Sequence, residues 1–121
     1  MNQLVLQSVA ADEINLHALH RADLNNEDIF FRLVLTIGMA GKTGSNYFYT
    51  TLATPEALLK HGGDYLLVSN RTLVVRYFDL PQLIAHLENI VRSCSRDSWE
   101  ASCQVLTRYF DWEFEDYRAS S

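Results

Sequence analysis

The spacing of hydrophobic and polar residues changes along the chain, and the changes mark the predicted elements. Between positions 29 and 37 every second residue is apolar, whereas Arg32 and Thr36 fall on the opposite side. This period of two predicts a strand with one buried face. Residues 46–53, rich in Tyr, Phe and Thr, predict a return strand, and the glycines between the two predict a hairpin connection. Residues 4–6 predict an opening strand.

Helical signals follow in three places. Thr54-Pro55-Glu56 predicts a short helix that ends at Gly62-Gly63, because threonine caps a helix, proline fits its first turn and glycine favours its end. From Asp79 to Cys94 apolar residues recur at helical spacing and form one wide stripe. Asp97 and Glu100 have the spacing of a capping box, which predicts the start of a third helix.

Residues 65–68 and 72–78 are apolar and β-branched and predict one or two strands, and residues 111–117 predict the last one. In the last of these, Trp112 and Phe114 alternate with acidic residues, which predicts an edge strand with the aromatic rings inward and the acids outward. The resulting order is β-β-β-α-β-α-α-β. It predicts an α+β fold, an antiparallel sheet of four to five strands with three helices packed on one face. We expect a single domain over residues 1–121.

Composition and charge narrow the classes of function. The chain has 121 residues, of which 48% are hydrophobic, and 15 acidic residues against 10 basic ones give a net charge of -5. A nucleic-acid-binding protein needs a basic face, so no direct nucleic-acid partner is expected. The N-terminus lacks a signal sequence, and no apolar run approaches the ~20 residues of a membrane span, so we expect a soluble cytoplasmic protein without a membrane partner. Cys94 and Cys103 lie on apolar stripes, which predicts buried free thiols.

No pattern in the chain predicts catalysis. Four of the positions 111–116 carry carboxylates, but alternation on a strand places them on a solvated face, whereas acid–base catalysis needs two different environments in one pocket. Residues 41–43 (Gly-Lys-Thr) end like a phosphate-binding loop, but Thr36 stands where its first glycine belongs. His17 and His20 have no third ligand at a suitable spacing. We therefore predict no catalytic residue, no cofactor and no metal, and a protein that acts by binding another protein.

The sequence also resembles a known family through an ordered series of segments. They are Ile37-Gly38, the Tyr/Phe strand 47–49, Thr54-Pro55, the apolar 73–75 leading to Tyr77-Phe78-Asp79, Trp99 at a helix start, and the closing RYFDWEFEDY at 108–117. Over about residues 29–117 this series resembles the immunity protein 8 family of bacterial polymorphic-toxin systems. The closing WEF-plus-tyrosine signature is the most specific part.

The resemblance implies a cytoplasmic protein that needs no cofactor and catalyses nothing. Members of such families neutralise a toxin domain made by the same cell and delivered to its neighbours, including by contact-dependent growth inhibition. Toxin domains of this kind are often nucleases with basic active sites, which an acidic protein would cover with electrostatic help. The family has no catalytic residues to carry over, and we interpret the WEF segment as packing.

Two acidic groups are predicted as toxin contacts, on charge and exposure alone. One consists of Asp12, Glu13, Asp23, Glu27 and Asp28, and the other of Asp111, Glu113, Glu115 and Asp116. Two alternatives to an immunity protein remain: a non-enzymatic scaffold module of a housekeeping complex, and a small enzyme that uses the C-terminal carboxylates. The strand 47–51 is also a candidate for edge-to-edge pairing with a second copy, which would form a homodimer.

Overall fold

The computed structural model describes residues 3–12, 14–19, 24–62 and 71–114. Within them the chain forms β1 (Leu4–Ala11), β2 (Phe30–Met39), β3 (Asn46–Ala53), α1 (Pro55–Gly62), β4 (Thr72–Val74), α2 (Leu80–Ser93), α3 (Trp99–Leu106) and β5 (Asp111–Trp112). Two short 3₁₀ turns, Leu16–Ala18 and Asn26–Asp28, lie between β1 and β2. The predicted α+β class and the predicted order of elements are confirmed, whereas the predicted strand at 65–68 lies outside the described residues.

The strands form one sheet in which β3 is central. β2 pairs antiparallel with β1 on one side and with β3 on the other. The far edge of β3 is shared, since Phe48 and Tyr49 pair antiparallel with β5 and residues 51–53 pair in parallel with β4. The parallel pair follows from the crossover through α1, which returns the chain in the same direction. Residues 47–51 are therefore not a free edge at which a second copy could pair, because β3 already has partners on both sides, and the homodimer itself stays a prediction.

One face of the sheet packs against α2 and α3. On β2, Leu33, Leu35 and Ile37 are fully buried, as their alternation predicted. The same buried cluster contains helix residues at helical spacing: Leu83, Leu87, Val91, Cys94, Cys103, Leu106 and Phe110. Burial of one such leucine contributes roughly 1.5–3 kcal/mol to the free energy of unfolding. This face of the sheet forms the hydrophobic core with the helices. The opposite face is therefore available for contacts with other molecules.

The starts of the helices agree with the predictions in two cases of three. Thr54 caps α1 and Asp79 caps α2, each accepting a hydrogen bond from a backbone N–H of the first turn. At α3 the cap is Ser98, whose Oγ accepts the N–H three residues on at 3.1 Å. The predicted capping box of Asp97 and Glu100 is therefore wrong. Serine caps a helix as well as aspartate does, and the later start makes Trp99 the first residue of the helix.

The last strand is much shorter than predicted. β5 ends at Trp112, and the chain turns at residues 113–114. Trp112 stacks on Phe48 with ring centroids 6.1 Å apart, so its predicted inward position is confirmed. Phe114 instead packs edge-on against Trp112 and is exposed, so its predicted inward position is wrong. β4 is also shorter than predicted, because it ends at Val74 and the predicted strand continued to Phe78.

Candidate functional site

The face of the sheet opposite α2 and α3 is the best candidate for a functional surface. We call it the open face. Cross-strand register assigns the following residues to it: Val5, Ser8, Ala10, Phe30, Arg32, Val34, Thr36, Tyr47, Tyr49, Thr51, Val74 and Asp111. At one end the hairpin connection closes over it, because a Cβ on Gly38 would lie 2.8 Å from the carbonyl oxygen of Gly44.

Four apolar side chains are exposed on this face, Val5 and Tyr47 towards one end of the strands and Phe30 and Val74 towards the other. Val5, Phe30, Tyr47 and Val74 are 39%, 38%, 49% and 47% exposed. Seven large hydrophobic side chains of the described residues are exposed, and four of them are these. Scattered single hydrophobic side chains are normal on a protein surface. Several on one continuous face instead indicate a surface that binds a partner.

A line of alternating charges crosses the same face. The Arg32 guanidinium carbon lies 3.8 Å from the centroid of the Tyr49 ring, and Arg32 Nη1 lies 3.7 Å from Asp12 Oδ2. On the other side, Asp111 is the register partner of Tyr49 and contacts Arg71 Nη1 at 2.6 Å. The two predicted acidic groups are about 100 positions apart in the chain, yet Asp12 and Asp111 lie on one surface, joined by Arg32 and Tyr49.

Glu113 borders the open face next to Tyr47. Its Oε1 accepts a hydrogen bond from the Tyr47 N–H at 2.9 Å, and its own N–H donates to the Tyr47 carbonyl oxygen at 3.1 Å. Glu113 therefore continues the pairing of β5 with β3 through its side chain. This arrangement holds the backbone at Tyr47 and leaves the ring of Tyr47 exposed.

The other predicted acids lie elsewhere or cannot be placed. Glu27 and Asp28 are on the second 3₁₀ turn beside α1, where Lys60 Nζ lies 2.8 Å from Asp28 Oδ1 and 4.0 Å from Glu27 Oε1. The hydrogen bond and the charge of Lys60 lower the pKa of Asp28, and in return the pKa of Lys60 is raised. Four further predicted contacts lie outside the described residues: Glu13, Asp23, Glu115 and Asp116.

The described part of the chain contains no arrangement typical of catalysis or metal binding. No group of three or more His, Cys, Asp and Glu residues is close enough to hold a metal ion there. Cys94 and Cys103 are buried free thiols, as predicted, and burial raises the pKa of Cys103 to about 12. A thiol with so high a pKa is not a nucleophile near neutral pH.

A groove of about 520 Å³ lies between β4 and α2. Its floor is apolar, formed by residues that include Leu73, Val75 and Leu83. Among the described residues of its lining, Asp79 is the single carboxylate, and its side chain caps α2. His86 also lines the groove, so its described titratable groups include one carboxylate engaged in a helix cap and one imidazole.

A known family matches nearly the whole chain. The family model described as immunity protein 8 matches residues 4–117. The chain belongs to this family. The match confirms the resemblance found in the sequence and extends it to β1, which had been left outside it. No curated protein and no solved structure matches the chain.

Membership makes the chain an immunity protein, a class that is generally non-enzymatic. Among the described helices of this immunity protein, none is long and apolar enough to cross a membrane. The sequence prediction of its contacts selected acidic residues only, so it did not include Arg32, Tyr47 and Tyr49 of the open face. The available signal was the alternation itself, because in β2 and β3 the positions between the buried ones define the open face.

Proposed function

We propose that this immunity protein binds a cognate toxin domain in the cytoplasm and neutralises it by covering the toxin's active site. Family membership over residues 4–117 supports a toxin as the partner. The observation that carries the proposal is the open face, which has exposed apolar side chains and carboxylates but no catalytic arrangement in the described residues. Such a surface fits binding rather than chemistry.

The proposed toxin has a basic active site, and a nuclease is the first candidate. The chain has a net charge of -5, and an acidic inhibitor is attracted to a site built to hold phosphates. Complementary charge accelerates encounter and disfavours wrong partners. The proposed setting is a polymorphic-toxin system, with contact-dependent growth inhibition as one case.

Co-expression tests this function directly. A toxin domain encoded beside the gene for this chain is expressed in a bacterial host with and without the full chain. We expect growth arrest by the toxin alone, rescue by the chain, and co-purification of the two in a one-to-one complex. Recovery of a housekeeping complex from the native lysate, with no rescue of growth, would instead support the scaffold alternative.

Steady-state kinetics test how the toxin is neutralised. If the chain covers the active site, excess substrate competes with it and raises the concentration needed for half inhibition. Inhibition that is independent of substrate concentration would contradict active-site blocking. Toxin binding itself would then stand, and the mechanism would be allosteric.

Charge reversal tests the proposed acidic contacts. One variant reverses Asp12 and Asp111 to lysine, and a second reverses Glu27 and Asp28. Glu88→Lys, on the exposed surface of α2, is the matched control. We expect at least one double variant to bind the toxin several-fold more weakly while keeping its fold, because unlike charges would become like charges. Full protection by both double variants would contradict acidic contacts at these residues.

A further inference from the structure

We infer that the toxin docks flat on the open face, centred on Tyr47 and Tyr49, through a surface of its own that carries basic side chains. This inference rests on the proposed function and adds to it the surface and the chemistry of the partner. It selects Asp12, Asp111 and Glu113 among the predicted acids and leaves the turn at Glu27 and Asp28 outside the interface.

The two tyrosines have the properties of interface anchors. Tyr47 is 49% exposed, and Tyr49 lies two residues along the same strand on the same face, beneath the guanidinium of Arg32. Tyrosine and arginine are over-represented among the few residues that dominate binding energy. The stacking of Arg32 on Tyr49 and the hydrogen bonds of Glu113 to the Tyr47 backbone order this region before binding. Less conformational entropy is then lost when a partner docks.

The described residues of the open face and its border carry a small excess of negative charge, three carboxylates (Asp12, Asp111 and Glu113) against two guanidinium groups (Arg32 and Arg71), which favours a basic partner. Among the described residues, Asp12 Oδ2 contacts Arg32 and Asp111 Oδ1 contacts Arg71, and both acidic residues are exposed. Each carboxylate can therefore accept hydrogen bonds from a second cation. A lysine or arginine of the toxin would meet a carboxylate already oriented by its intramolecular partner, which favours specificity and rapid encounter.

The dimensions of the open face suit a protein domain. The open face is about four strands wide and about eight residues long. With a strand spacing of about 4.8 Å and a rise of about 3.3 Å per residue, its projected area is about 500 Å². Accessible area exceeds projected area, and a standard interface buries about 800 Å² on each partner. The open face and its rim thus approach what one stable complex requires.

The outer edge of β1 is a poorer docking site than the face. The Leu4 N–H donates to Ser95 Oγ at 2.9 Å, and His17 Nε2 donates to the Val9 carbonyl oxygen at 3.3 Å. A strand added at this edge, from a toxin or from a second copy, would have to displace both contacts. On the open face, contacts from outside the strands lie at the two ends among the described residues, where the hairpin connection approaches Gly38 and His61 lies against Phe30.

The test is a binding titration with the toxin domain encoded beside the gene, purified in a catalytically inactive form. Tyr47→Ala is compared with Tyr109→Ala, which removes an equally large side chain of similar exposure, 45%, after the end of α3. We expect Tyr47→Ala to weaken binding about tenfold or more and Tyr109→Ala to change it less than about twofold. Two variants that both bind like the wild type would overturn the inference.

A second variant and a second measurement distinguish the loss of a binding contact from a folding defect. Thr36→Arg places a bulky cation beside Tyr47, its register partner, and Gln104→Arg on the exposed side of α3 is its control. Hydroxyl-radical footprinting of the wild type should show protection of Tyr47 and Tyr49 in the complex. Protection confined to the helices, or equal binding by both arginine variants, would place the interface elsewhere.

The same titration separates this inference from the function on which it rests. If the wild-type chain does not bind the toxin domain at all, the proposed function fails. If the wild type binds and the open-face variants bind equally well, only the docking surface is wrong. If the wild type sediments as a dimer that Tyr47→Ala dissociates, a second copy covers the face and the inference is overturned.

Discussion

The guanidinium of Arg32 stacks on the ring of Tyr49, 3.8 Å from its centroid. The two residues are diagonal neighbours, because Arg32 is in register with Thr51, two positions beyond Tyr49. Diagonal pairs of this kind lie within reach of long and aromatic side chains. The contact orders two large side chains at the protein surface without burying them. The proposed docking surface and the buried core therefore use different residues of the sheet.

Arg32→Met tests this separation. We expect the free energy of unfolding to fall by no more than ~1 kcal/mol, because an exposed cation–π contact contributes about 0.5–1 kcal/mol and the exposed ion pair with Asp12 adds little. Toxin affinity should fall about fivefold or more. Urea unfolding and calorimetric titration measure the two quantities, with Arg108→Met on the exposed surface as the control. A large loss of stability with unchanged affinity would show that Arg32 serves the fold instead.

The pair of Asp28 and Lys60 predicts a dependence of stability on pH. Lys60 lowers the pKa of Asp28 below its ordinary 3.8, so the stabilisation is complete above that value and is lost as the pH falls through the lowered pKa. The difference in melting temperature between wild type and Asp28→Asn should shrink from about pH 6 towards about pH 2. It should also shrink as the pH rises above 10.5, the ordinary pKa of Lys60, which the pair raises.

Glu27→Gln is the matched control for this pH series. Glu27 lies on the same turn but 4.0 Å from Lys60 Nζ, beyond hydrogen-bond distance. Its substitution should change the melting temperature less than Asp28→Asn does near neutral pH. A difference that stays constant over the whole pH range for Asp28→Asn would show that ionisation of the pair is not its cause.

Cys103 should not react with alkylating reagents in the folded protein. Its pKa is raised to about 12 from an ordinary 9.0, so at about pH 8 it holds on the order of a thousandfold less thiolate than an unperturbed cysteine. Burial of Cys94 raises its pKa as well. We expect iodoacetamide to label neither thiol in buffer and both in denaturant, as read by mass spectrometry. Rapid labelling of folded protein would contradict the packing of α2 and α3 described above.

Two leucines give a paired test of the core. Leu87 on α2 is fully buried, whereas Leu59 on α1 is 79% exposed. Leu87→Ala should lower the free energy of unfolding by ~2–5 kcal/mol through lost burial and the cavity that remains. Leu59→Ala should change it by less than ~0.5 kcal/mol. Chemical denaturation measures the free energy of unfolding of both variants. Equal decreases in this free energy would contradict the position of α2 over the sheet.

Much of the fold could be predicted because burial has a period that the sequence displays. Alternation identified β2, and the content of Tyr, Phe and Thr identified β3. The structure buries Leu33, Leu35 and Ile37 of β2 as expected. Alternation shows which side of a strand is buried, but it does not show which strand lies beside it. The shared edge of β3 therefore had no signal in the sequence. The same holds for the contact between Arg32 and Tyr49, which depends on the register of two strands.

Other errors arose where two local choices have similar energy. Asp97 and Ser98 are both favourable N-cap residues. The choice between them depends on how the helix packs, and a local sequence pattern does not contain that information. The alternation of acidic and aromatic residues from Asp111 onward continues beyond Trp112, although β5 ends at that residue. Pairing with β3 stops near Glu113, and Phe114 is left exposed as a result. The candidate site was only partly predicted because charge alone selected its residues.

The outer edge of β1 has a consequence for aggregation. Its sequence, LVLQSVAA, contains no charged residue and no proline, the two devices that most often prevent edge strands from recruiting further chains into fibrils. Among the described residues, Ser95, 91 positions from Leu4, and His17 cover polar groups of this edge. A substitution at Ser95 would thus leave the open face unchanged and still free the Leu4 N–H for pairing with another chain. In this protein, part of the cover of an edge strand is encoded far from that strand in the sequence.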